Sequence, residues 1–548
     1  MYLMSEENSL IPTITFYPEA YSTNGPKLMG RNAAGESFLR GMLQYAQANE
    51  IWAYVEKPQH ANVFFSEGQR LASNKELRAL SPEQFGGLKH AGVLYLPGPN
   101  LASSAWQRKT LGANLWSLVG ITHTVCTKGA MDAITDLISA PVQPWDALIC
   151  TSHSVKKNVL NILQSQMQYL SDRFGANQFP LPQLPVIPLG IHCQDFSFTD
   201  DQSIESRSAL GLGENDIVVL FVGRLSFHSK AHPLAMYQAL ELAQSSTDKN
   251  IVLLEFGSYS NDKIQEAYEE AFLAAAPNLR RIVLDGHQKK YSKLAWSSAD
   301  LFCSLADNIQ ESFGITPIEA MAAGLPAIVS DWDGYKESVV DGETGYCIPS
   351  IQPRSGLGKD LALRHALDLE PYDRYIGYTS SLVAIDIDKT AAAICALADD
   401  SELRRKMGEA GRQRAQTVYD WSIIIPQYEA LFETLEEIRK AHTESSKTVW
   451  PARLDPFEAF SHYPSRVLDE MTLLTLRDCH ALRFRHLSMV NFAEMLGPRA
   501  NEVEVIVSAL QSGPKTAREL VAHFANSEQP RVLRGIAHLL KLGVLGLA

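Results

Sequence analysis

Short apolar runs alternate with longer amphipathic stretches along most of the chain. In the first part, the runs at 93–97, 115–121 and 147–151 have the length of strands and are closed by turn or polar residues. The segments 35–48 and 154–170 between them have a helical pattern. Strands that alternate with helices predict a parallel sheet with helices packed on its faces.

The alternation is clearer after residue 205. Strands are predicted at 217–222, 251–256, 281–284, 300–304 and 327–330, and helices at 232–245, 262–275, 291–298 and 317–323. A proline-rich stretch, 181–196, separates the two parts and resembles an inter-domain connection. We therefore predict an α/β protein with two Rossmann-like domains, 1–197 and 198–442, facing each other across a cleft, where ligands usually bind.

The pattern is weaker towards the C-terminus. Residues 350–386 have few periodic cues and are interpreted as an insertion. Helices return at 388–397, 401–419 and 424–441, and a polar stretch at 443–448 precedes a tail. In the tail, two short helical patterns at 516–525 and 529–540 are followed by an apolar end. Residues 450–548 are thus predicted to form a small, mainly helical, winged-helix-like domain for partner docking rather than DNA binding.

Composition narrows the class of protein. The 548-residue chain has a net charge of −13, which disfavours general affinity for nucleic acid. Its seven cysteines include no C-x-x-C pair, as expected of buried thiols in a reducing compartment. The N-terminus lacks a basic region followed by an apolar stretch, and no apolar run is long enough for a membrane span. We expect a cytoplasmic protein without a transmembrane segment.

The most informative segment is 304–349. Thr316 can cap a helix with Pro317 at its first position and Glu319 three residues after the cap, and Gly324 can end that helix. The start of such a helix favours a bound anion, for example a diphosphate. Glu319 needs no ligand if it only completes the capping box. A second carboxylate, Glu311, precedes it with seven residues between them.

This Glu-x7-Glu pair lies in an ordered string of motifs. It continues as Glu319-Ala-Met-Ala-Ala-Gly-Leu-Pro, then Ser330-Asp331, then Gly-Glu-Thr-Gly at 342–345 and Pro349. In this order the segment closely resembles the retaining glycosyltransferases of the GT-B fold, the family 4-like glycosyl transferases group 1. Asp331 and Asp333 fall in the family's turn after a strand, and we therefore expect no metal there.

A second element agrees with this resemblance. The strand that ends at residue 222 is followed by Gly223-Arg224-Leu225, and Lys230 comes six positions after the arginine, where relatives usually have five. The resemblance implies that Glu311 binds the donor sugar and Glu319 the ribose. It assigns the donor diphosphate to a further group of residues: Arg224, Lys230, Phe313, Gly314 and Ile315. A surface ion pair remains an alternative explanation of Arg224.

The first domain matches the family only at isolated points. Gly35 closes the sequence MGRNAAG, where relatives have a glycine-rich loop near the donor phosphates, although a plain helix start explains it equally well. His123 follows an apolar run at the place where relatives keep a histidine beside the donor sugar. A buried, hydrogen-bonded core histidine is the alternative.

The resemblance implies transfer of a sugar from a nucleotide diphosphate sugar to an acceptor with retention of the anomeric configuration. UDP is the favoured nucleotide and GDP the next; no further cofactor is expected, because the nucleotide sugar is a co-substrate. The acceptor can be a polysaccharide, a lipid, a protein or a small molecule. A catalytically inert scaffold of the same fold that binds a partner is the main alternative, and a nucleotide-sugar epimerase is a weaker one.

Overall fold

The computed structural model describes residues 10–22, 30–71, 73–442 and 447–548. The N-terminal residues 1–9, Met29 of the glycine-containing sequence and most of the polar stretch 443–448 lie outside the described residues. The chain divides into two compact units, the first ending at Trp450 and the second beginning at Pro451. No helix among the described residues has both the length and the apolar character that a bilayer crossing requires.

The first six strands form one parallel sheet. Their order is β3-β2-β1-β4-β5-β6. The chain starts with β1 in the middle of the sheet, adds β2 and β3 on one side of it, and then adds β4, β5 and β6 on the other side. The central strands are buried on both faces, which is why they appear as continuous apolar runs. The strands are β1 Thr13–Thr15, β2 Glu50–Tyr54, β3 Glu76–Leu80, β4 Val93–Tyr95, β5 Ser117–Ile121 and β6 Ala147–Ile149.

Helices cover both faces of this sheet. The predicted helix at 154–170 runs from His153 to Phe174, and the one predicted at 35–48 begins five residues earlier, at Gly30. The helices are Pro18–Tyr21, Gly30–Tyr45, Pro58–Arg70, Leu88–Ala91, Ala102–Leu111, Lys128–Ser139 and His153–Phe174, with a 3-10 turn at Pro82–Gly87.

A second six-stranded parallel sheet follows, in the order β12-β11-β10-β7-β8-β9. It has the same topology as the first sheet, with the reversal between β7 and β10. Its strands are β7 Asp216–Val222, β8 Asn250–Gly257, β9 Arg280–Asp285, β10 Leu301–Ser304, β11 Ala327–Ser330 and β12 Gly345–Ile348. Its helices are Asp200–Ala209, Pro233–Gln244, Asp262–Ala275, Lys290–Ser298, Ile315–Ala323 and Tyr335–Ser338, after a 3-10 turn at Cys193–Phe196. The prediction of two Rossmann-like domains is confirmed.

Residues 350–386 are more regular than their pattern suggested. Strands β13 Ser350–Ile351 and β14 Ala384–Ile385 pair in antiparallel orientation at the base of two helices, Lys359–Ala366 and Tyr372–Ser380. This pair keeps leucines exposed, among them Leu363 and Leu367.

The last helices of the first unit return the chain to the first sheet. Helices Ile387–Asp399 and Ser401–Arg414 pack on the second domain, and a π-helical turn, Ala415–Tyr419, leads into Trp421–Lys440. That last helix completes the core of the first domain, because Trp421, Tyr428 and Leu435 are buried against Phe38 and its neighbours. The first core therefore joins residues from both ends of the unit.

The second unit has its own hydrophobic core. A small antiparallel sheet of three strands, in the order β16-β15-β17, packs with three longer helices. The prediction of a helical C-terminal region is confirmed, and its likeness to a winged helix stays a prediction. The strands are β15 Leu473–Leu476, β16 Lys515–Thr516 and β17 Leu545–Leu547; the helices are Pro456–Ala459, Ser488–Asn491, Ala500–Leu510, Ala517–Val521 and Gln529–Leu542, with 3-10 turns at Cys479–His486 and Glu494–Leu496.

Candidate functional site

The second sheet brings two candidate segments together where its strand order reverses. β7 leads into Arg224, and the adjacent β10 leads into the loop that carries Glu311. Strands β8 and β9 lie on one side of β7, and β10, β11 and β12 lie on the other. The loops after β7 and β10 therefore lead away from each other and leave a crevice at the carboxyl ends of these two strands. Ligands of open α/β sheets bind in this crevice. The topology alone thus places both segments at the expected binding edge.

Lys230 and Glu311 are in direct contact in this crevice. Lys230 Nζ donates a hydrogen bond to Glu311 Oε2 at 2.8 Å. Burial would raise the pKa of the Glu311 carboxyl, but Lys230, helped by the Ser312 amide and by Arg224, holds it below its usual value. Glu311 is therefore a carboxylate at neutral pH. Arg224 has no ion-pair partner among the described residues, so a surface ion pair does not explain it.

The extra residue between Arg224 and Lys230 is taken up by a tight turn. The amide of Lys230 donates to the Ser226 carbonyl at 2.9 Å, and the hydroxyls of Ser226 and Ser229 lie 2.7 Å apart. His228 sits on this turn, partly exposed, with Nε2 3.4 Å from the Ser226 hydroxyl. This turn places Lys230 within hydrogen-bond distance of Glu311, although Lys230 comes six positions after Arg224 instead of five.

Two residues that the sequence analysis did not identify link the loop after β10 to the loop after β7. Asn308 Nδ2 donates to the His228 carbonyl at 2.9 Å, and Gln310 Nε2 donates to the Ser229 carbonyl at 2.8 Å. Asn308 is fully buried, and its own carbonyl accepts from the indole of Trp332 at 3.1 Å. These side chains join two loops far apart in sequence, and the polar segment that carries them offers no local pattern that distinguishes them.

The helix after Glu311 begins earlier than its capping pattern predicted. It starts at Ile315 with Gly314 at the N-cap, and no side chain caps it, so Thr316 is not the cap residue and Glu319 completes no capping box. Gly314 has φ +81°, and a Cβ there would lie 1.8 Å from Tyr335 Cε1. The ring of Tyr335 occupies the space beside the helix start, and its hydroxyl bonds the side chains of Ser304 and Thr316. Gly324 ends the helix with φ +80°, as predicted.

The residues on either side of Gly314 have their side chains packed against the first core. Phe313 is buried in the first core beside Tyr419, and Ile315 packs partly against the same core. Their side chains are therefore occupied, and only backbone amides at this helix start remain to meet an anion.

Glu319 is partly buried on the first turns of this helix and has no hydrogen-bond or ion-pair partner within the described parts of the chain. Burial raises the pKa of its carboxyl to about 7. Partial burial disfavours the charged form of this carboxyl, and no partner among the described residues offsets the effect.

The first domain places His123 after β5, at the carboxyl end of its own sheet. His123 follows β5, and its ring bonds the carbonyl of Pro97, which follows β4. Burial lowers the pKa of His123 to about 4, and the charge of Arg31 acts in the same direction. The imidazole is therefore neutral at pH 7, and Arg31, which the sequence analysis did not identify, lies near it at the start of the helix Gly30–Tyr45.

Gly35 does not occupy the position that its motif suggested. The helix begins at Gly30, and Gly35 lies in its second turn, where a Cβ would come within 2.0 Å of the Ala20 carbonyl oxygen. Close packing of two helices explains the glycine. Gly30, not Gly35, stands at the helix start, and a contact of Gly35 with the donor phosphates stays a prediction.

The two domains also meet beside Glu311. The Ser152 hydroxyl lies 3.2 Å from both the Ser312 carbonyl and Asp333 Oδ1. The amides of His153 and Ser154, at the start of a long helix, donate to the carboxylate of Glu337 at 2.8 and 3.0 Å. A carboxylate at a helix N-terminus is favoured by the helix dipole. The contact fixes the loop of Glu311 against the first domain.

Within the described residues, no three histidine, cysteine, aspartate or glutamate side chains are placed to hold a metal ion together. Asp331 and Asp333 differ in their surroundings, since Asp331 is exposed and Asp333 bonds Ser152.

Comparison with known proteins identifies the second domain. Residues 202–355 match the family model of glycosyl transferases group 1. The chain is 32% identical over 142 residues to a phosphatidyl-myo-inositol mannosyltransferase of Mycobacterium leprae, which covers 26% of this chain and 28% of the relative. It is 25% identical over 271 residues to a D-inositol 3-phosphate glycosyltransferase of Corynebacterium glutamicum, covering 49% of this chain and 55% of the relative. The matched parts thus span about half of such relatives, or less.

Solved structures share the fold. HepE of Anabaena, crystallised with UDP and glucose, superposes with a TM-score of 0.51 at 12% identity, covering 77% of this chain and 100% of HepE. A glycosyltransferase of Rickettsia africae gives the same TM-score and identity over 78% of this chain and 98% of its own. The chain has the GT-B fold and carries a glycosyl transferases group 1 domain.

Proposed function

We propose that this glycosyl transferases group 1 chain transfers a sugar from a nucleotide diphosphate sugar to an acceptor, with retention of configuration and without a metal. The observation that carries the proposal is the Arg224–Lys230–Glu311 cluster at the strand-order reversal of the second sheet. It places two cations beside one carboxylate, which suits a diphosphate joined to a polyhydroxylated sugar.

The chemistry assigned to this cluster is stabilisation of the leaving group. As the bond from the sugar to the β-phosphate breaks, negative charge grows on the phosphate. Fixed cations in a crevice of low dielectric favour that charge more than they favour the ground state. We assign this role to Arg224, Lys230 and the amides at Gly314 and Ile315, and we assign the sugar hydroxyls to Glu311.

The remaining assignments follow from position and charge. Glu319, partly buried without a partner, is proposed to bind the ribose hydroxyls, which would satisfy its carboxyl. His123, neutral at pH 7, is proposed to hydrogen-bond the donor sugar from the first domain. UDP is the favoured nucleotide: UDP is bound by HepE in the structure that superposes on this chain. A lipid-linked or soluble inositol acceptor is suggested by the relatives' names.

Nucleotide binding tests the donor site. UDP, GDP, ADP and dTDP are added separately to the purified protein without metal, and the melting temperature is followed. We expect one nucleotide to stabilise the native protein by about 2.7 kcal/mol at a hundredfold excess over Kd. Arg224→Ala should raise the Kd for that nucleotide about tenfold or more, because a charged hydrogen bond is lost. Arg354→Ala, on an exposed loop, is the matched control.

Turnover separates an enzyme from an inert scaffold. With the nucleotide identified, release of nucleoside diphosphate from its sugar conjugates is measured for the wild type and for Glu311→Ala. An enzyme loses turnover in the variant. Stabilisation by a nucleotide without any release from its sugars, with inositol and lipid acceptors supplied, would favour the scaffold.

A further inference from the structure

Asp333 has a backbone that ordinary side chains avoid. It follows β11 in the turn at 331–334, and its φ of +43° lies in the left-handed region. Aspartate tolerates this region better than most residues, but glycine takes it without cost. Such local strain persists where the surrounding structure enforces it, and it is frequent at ligand sites.

The two carboxylate oxygens of Asp333 have different surroundings. Oδ1 bonds the Ser152 hydroxyl of the first domain at 3.2 Å. Oδ2 is buried and has no hydrogen-bond partner within the described residues. A buried carboxylate oxygen without a donor is rare in folded proteins, since the lost hydration is not replaced. A bound group that donates a hydrogen bond would replace it.

A shared contact places Asp333 beside the loop of Glu311. The Ser152 hydroxyl lies 3.2 Å from both the Ser312 carbonyl and Asp333 Oδ1, and Ser312 follows Glu311 directly in the chain. The Asp333 and Glu311 carboxylates are also close enough for their charges to interact. A sugar whose hydroxyls meet Glu311 would therefore lie near Asp333.

We propose that Asp333 is a specificity-determining residue that binds a hydroxyl of the donor sugar through Oδ2, next to the hydroxyls held by Glu311. This inference rests on the proposed function. Because Ser152 holds Oδ1, the carboxylate orientation depends on contact between the two domains, so the sugar is recognised only when the domains are together.

The test compares nucleotide with nucleotide sugar. Dissociation constants are measured calorimetrically for UDP and GDP and for their glucose, galactose and mannose conjugates, in the wild type, Asp333→Gly and Asp333→Asn. Glycine relieves the strained backbone and removes the carboxylate, while asparagine keeps the left-handed turn and one acceptor oxygen. Asp331→Asn, exposed in the same turn, is the control.

We expect Asp333→Gly to bind the free nucleotide as the wild type does and to bind the preferred conjugate about tenfold more weakly. Asp333→Asn should bind with intermediate affinity and alter the preference among sugars that differ at one hydroxyl. Equal changes for nucleotide and conjugate, or none, would overturn the inference while leaving the proposed function intact. Unchanged donor binding with a raised KM for the acceptor would also overturn it. A wild type that binds no nucleotide or conjugate would overturn both.

Discussion

The two glutamates of the Glu-x7-Glu pair have opposite electrostatic environments. Lys230 and Arg224 compensate the burial of Glu311 and keep its pKa below the usual value. Glu319 has no such compensation, and burial raises its pKa to about 7. The free protein therefore carries one carboxylate that is stabilised in place and one whose charge is unfavourable at neutral pH. A ligand that donates hydrogen bonds to Glu319 would stabilise the charged form of its carboxyl.

Glu319→Gln should stabilise the ligand-free protein above pH 7. The folded-state pKa of Glu319 is raised above its unfolded value, so the wild type loses stability as pH rises from about 4.5 to about 7. Glutamine cannot ionise and escapes that loss, which for a partly exposed group is on the order of 1–2 kcal/mol. Thermal denaturation at pH 8 should show the gain, and at pH 4.5 the two proteins should differ little.

The same variant separates stability from binding. If Glu319 binds the ribose, Glu319→Gln should weaken nucleotide binding at pH 8 although its melting temperature is higher. Glu343→Gln, at an exposed position of the same domain, is expected to change neither property. A variant that is less stable at pH 8 would contradict the unpartnered state of Glu319.

At this scale the sequence identified Glu311, Arg224 and Lys230, because local motifs carry them. It assigned no role to Arg31 or Asn308 and considered Asp333 only in excluding a metal, because the contacts of these residues join distant segments. Asn308 lies 80 positions from the carbonyl it binds, and Asp333 lies 181 positions from the hydroxyl it accepts from. For Gly35 the sequence could not distinguish a close helix contact from a phosphate contact, because both require a small residue.

Among the elements, the helix Ile315–Ala323 illustrates how a local rule can mislead. Thr316, Pro317 and Glu319 satisfy a capping pattern, yet the helix starts ahead of them at Ile315, and its N-cap is Gly314, which has no side chain to cap it. Buried strands such as β7 and β11 were predicted closely, since two covered faces give continuous apolar runs. Three strands of the first sheet were missed: β1, β2 and the edge strand β3. In β3, Glu76–Leu80 mixes charged and apolar side chains.

Gly314→Ala should destabilise the first unit by about 2 kcal/mol or more. The new methyl meets Tyr335 and also occupies a left-handed backbone, so strain and overpacking add. Urea denaturation followed by tryptophan fluorescence gives the free energy of unfolding.

Gly342→Ala separates the two contributions. Gly342 has φ +73° with nothing within 4 Å of a Cβ, so only the backbone penalty of about 1 kcal/mol applies. Equal losses in the two variants would show that the Tyr335 ring moves aside at little cost.

In the first compact unit, the last helix returns from the second domain and packs into the core of the first domain. The helix Trp421–Lys440 lies far from the N-terminus in sequence but buries Trp421 and Tyr428 against Phe38. The sequence predicted this closing helix at 424–441. It could not show which core the helix completes, because an amphipathic pattern does not identify the surface it covers.

Two truncations test this organisation. A chain that ends at Trp450 retains every residue of the first unit, and we expect it to unfold cooperatively at a temperature close to that of the first unit in the full chain. A chain that ends at Asp420 lacks the closing helix and leaves the core around Phe38 open. We expect it to lose its near-ultraviolet circular dichroism. Cooperative unfolding of the shorter chain would show that the first core closes without this helix.

The closing helix also sets an order of events during synthesis. Domains commonly fold as they emerge, the N-terminal one first, at roughly 5–20 residues per second. Here the first sheet is complete by Ile149, but its core waits for Leu435. The ribosome must add about 290 more residues, which takes roughly 15–60 seconds. Throughout that interval the nascent chain exposes the apolar face that Trp421 will cover, so chaperones have a defined surface and a defined time in which to bind it.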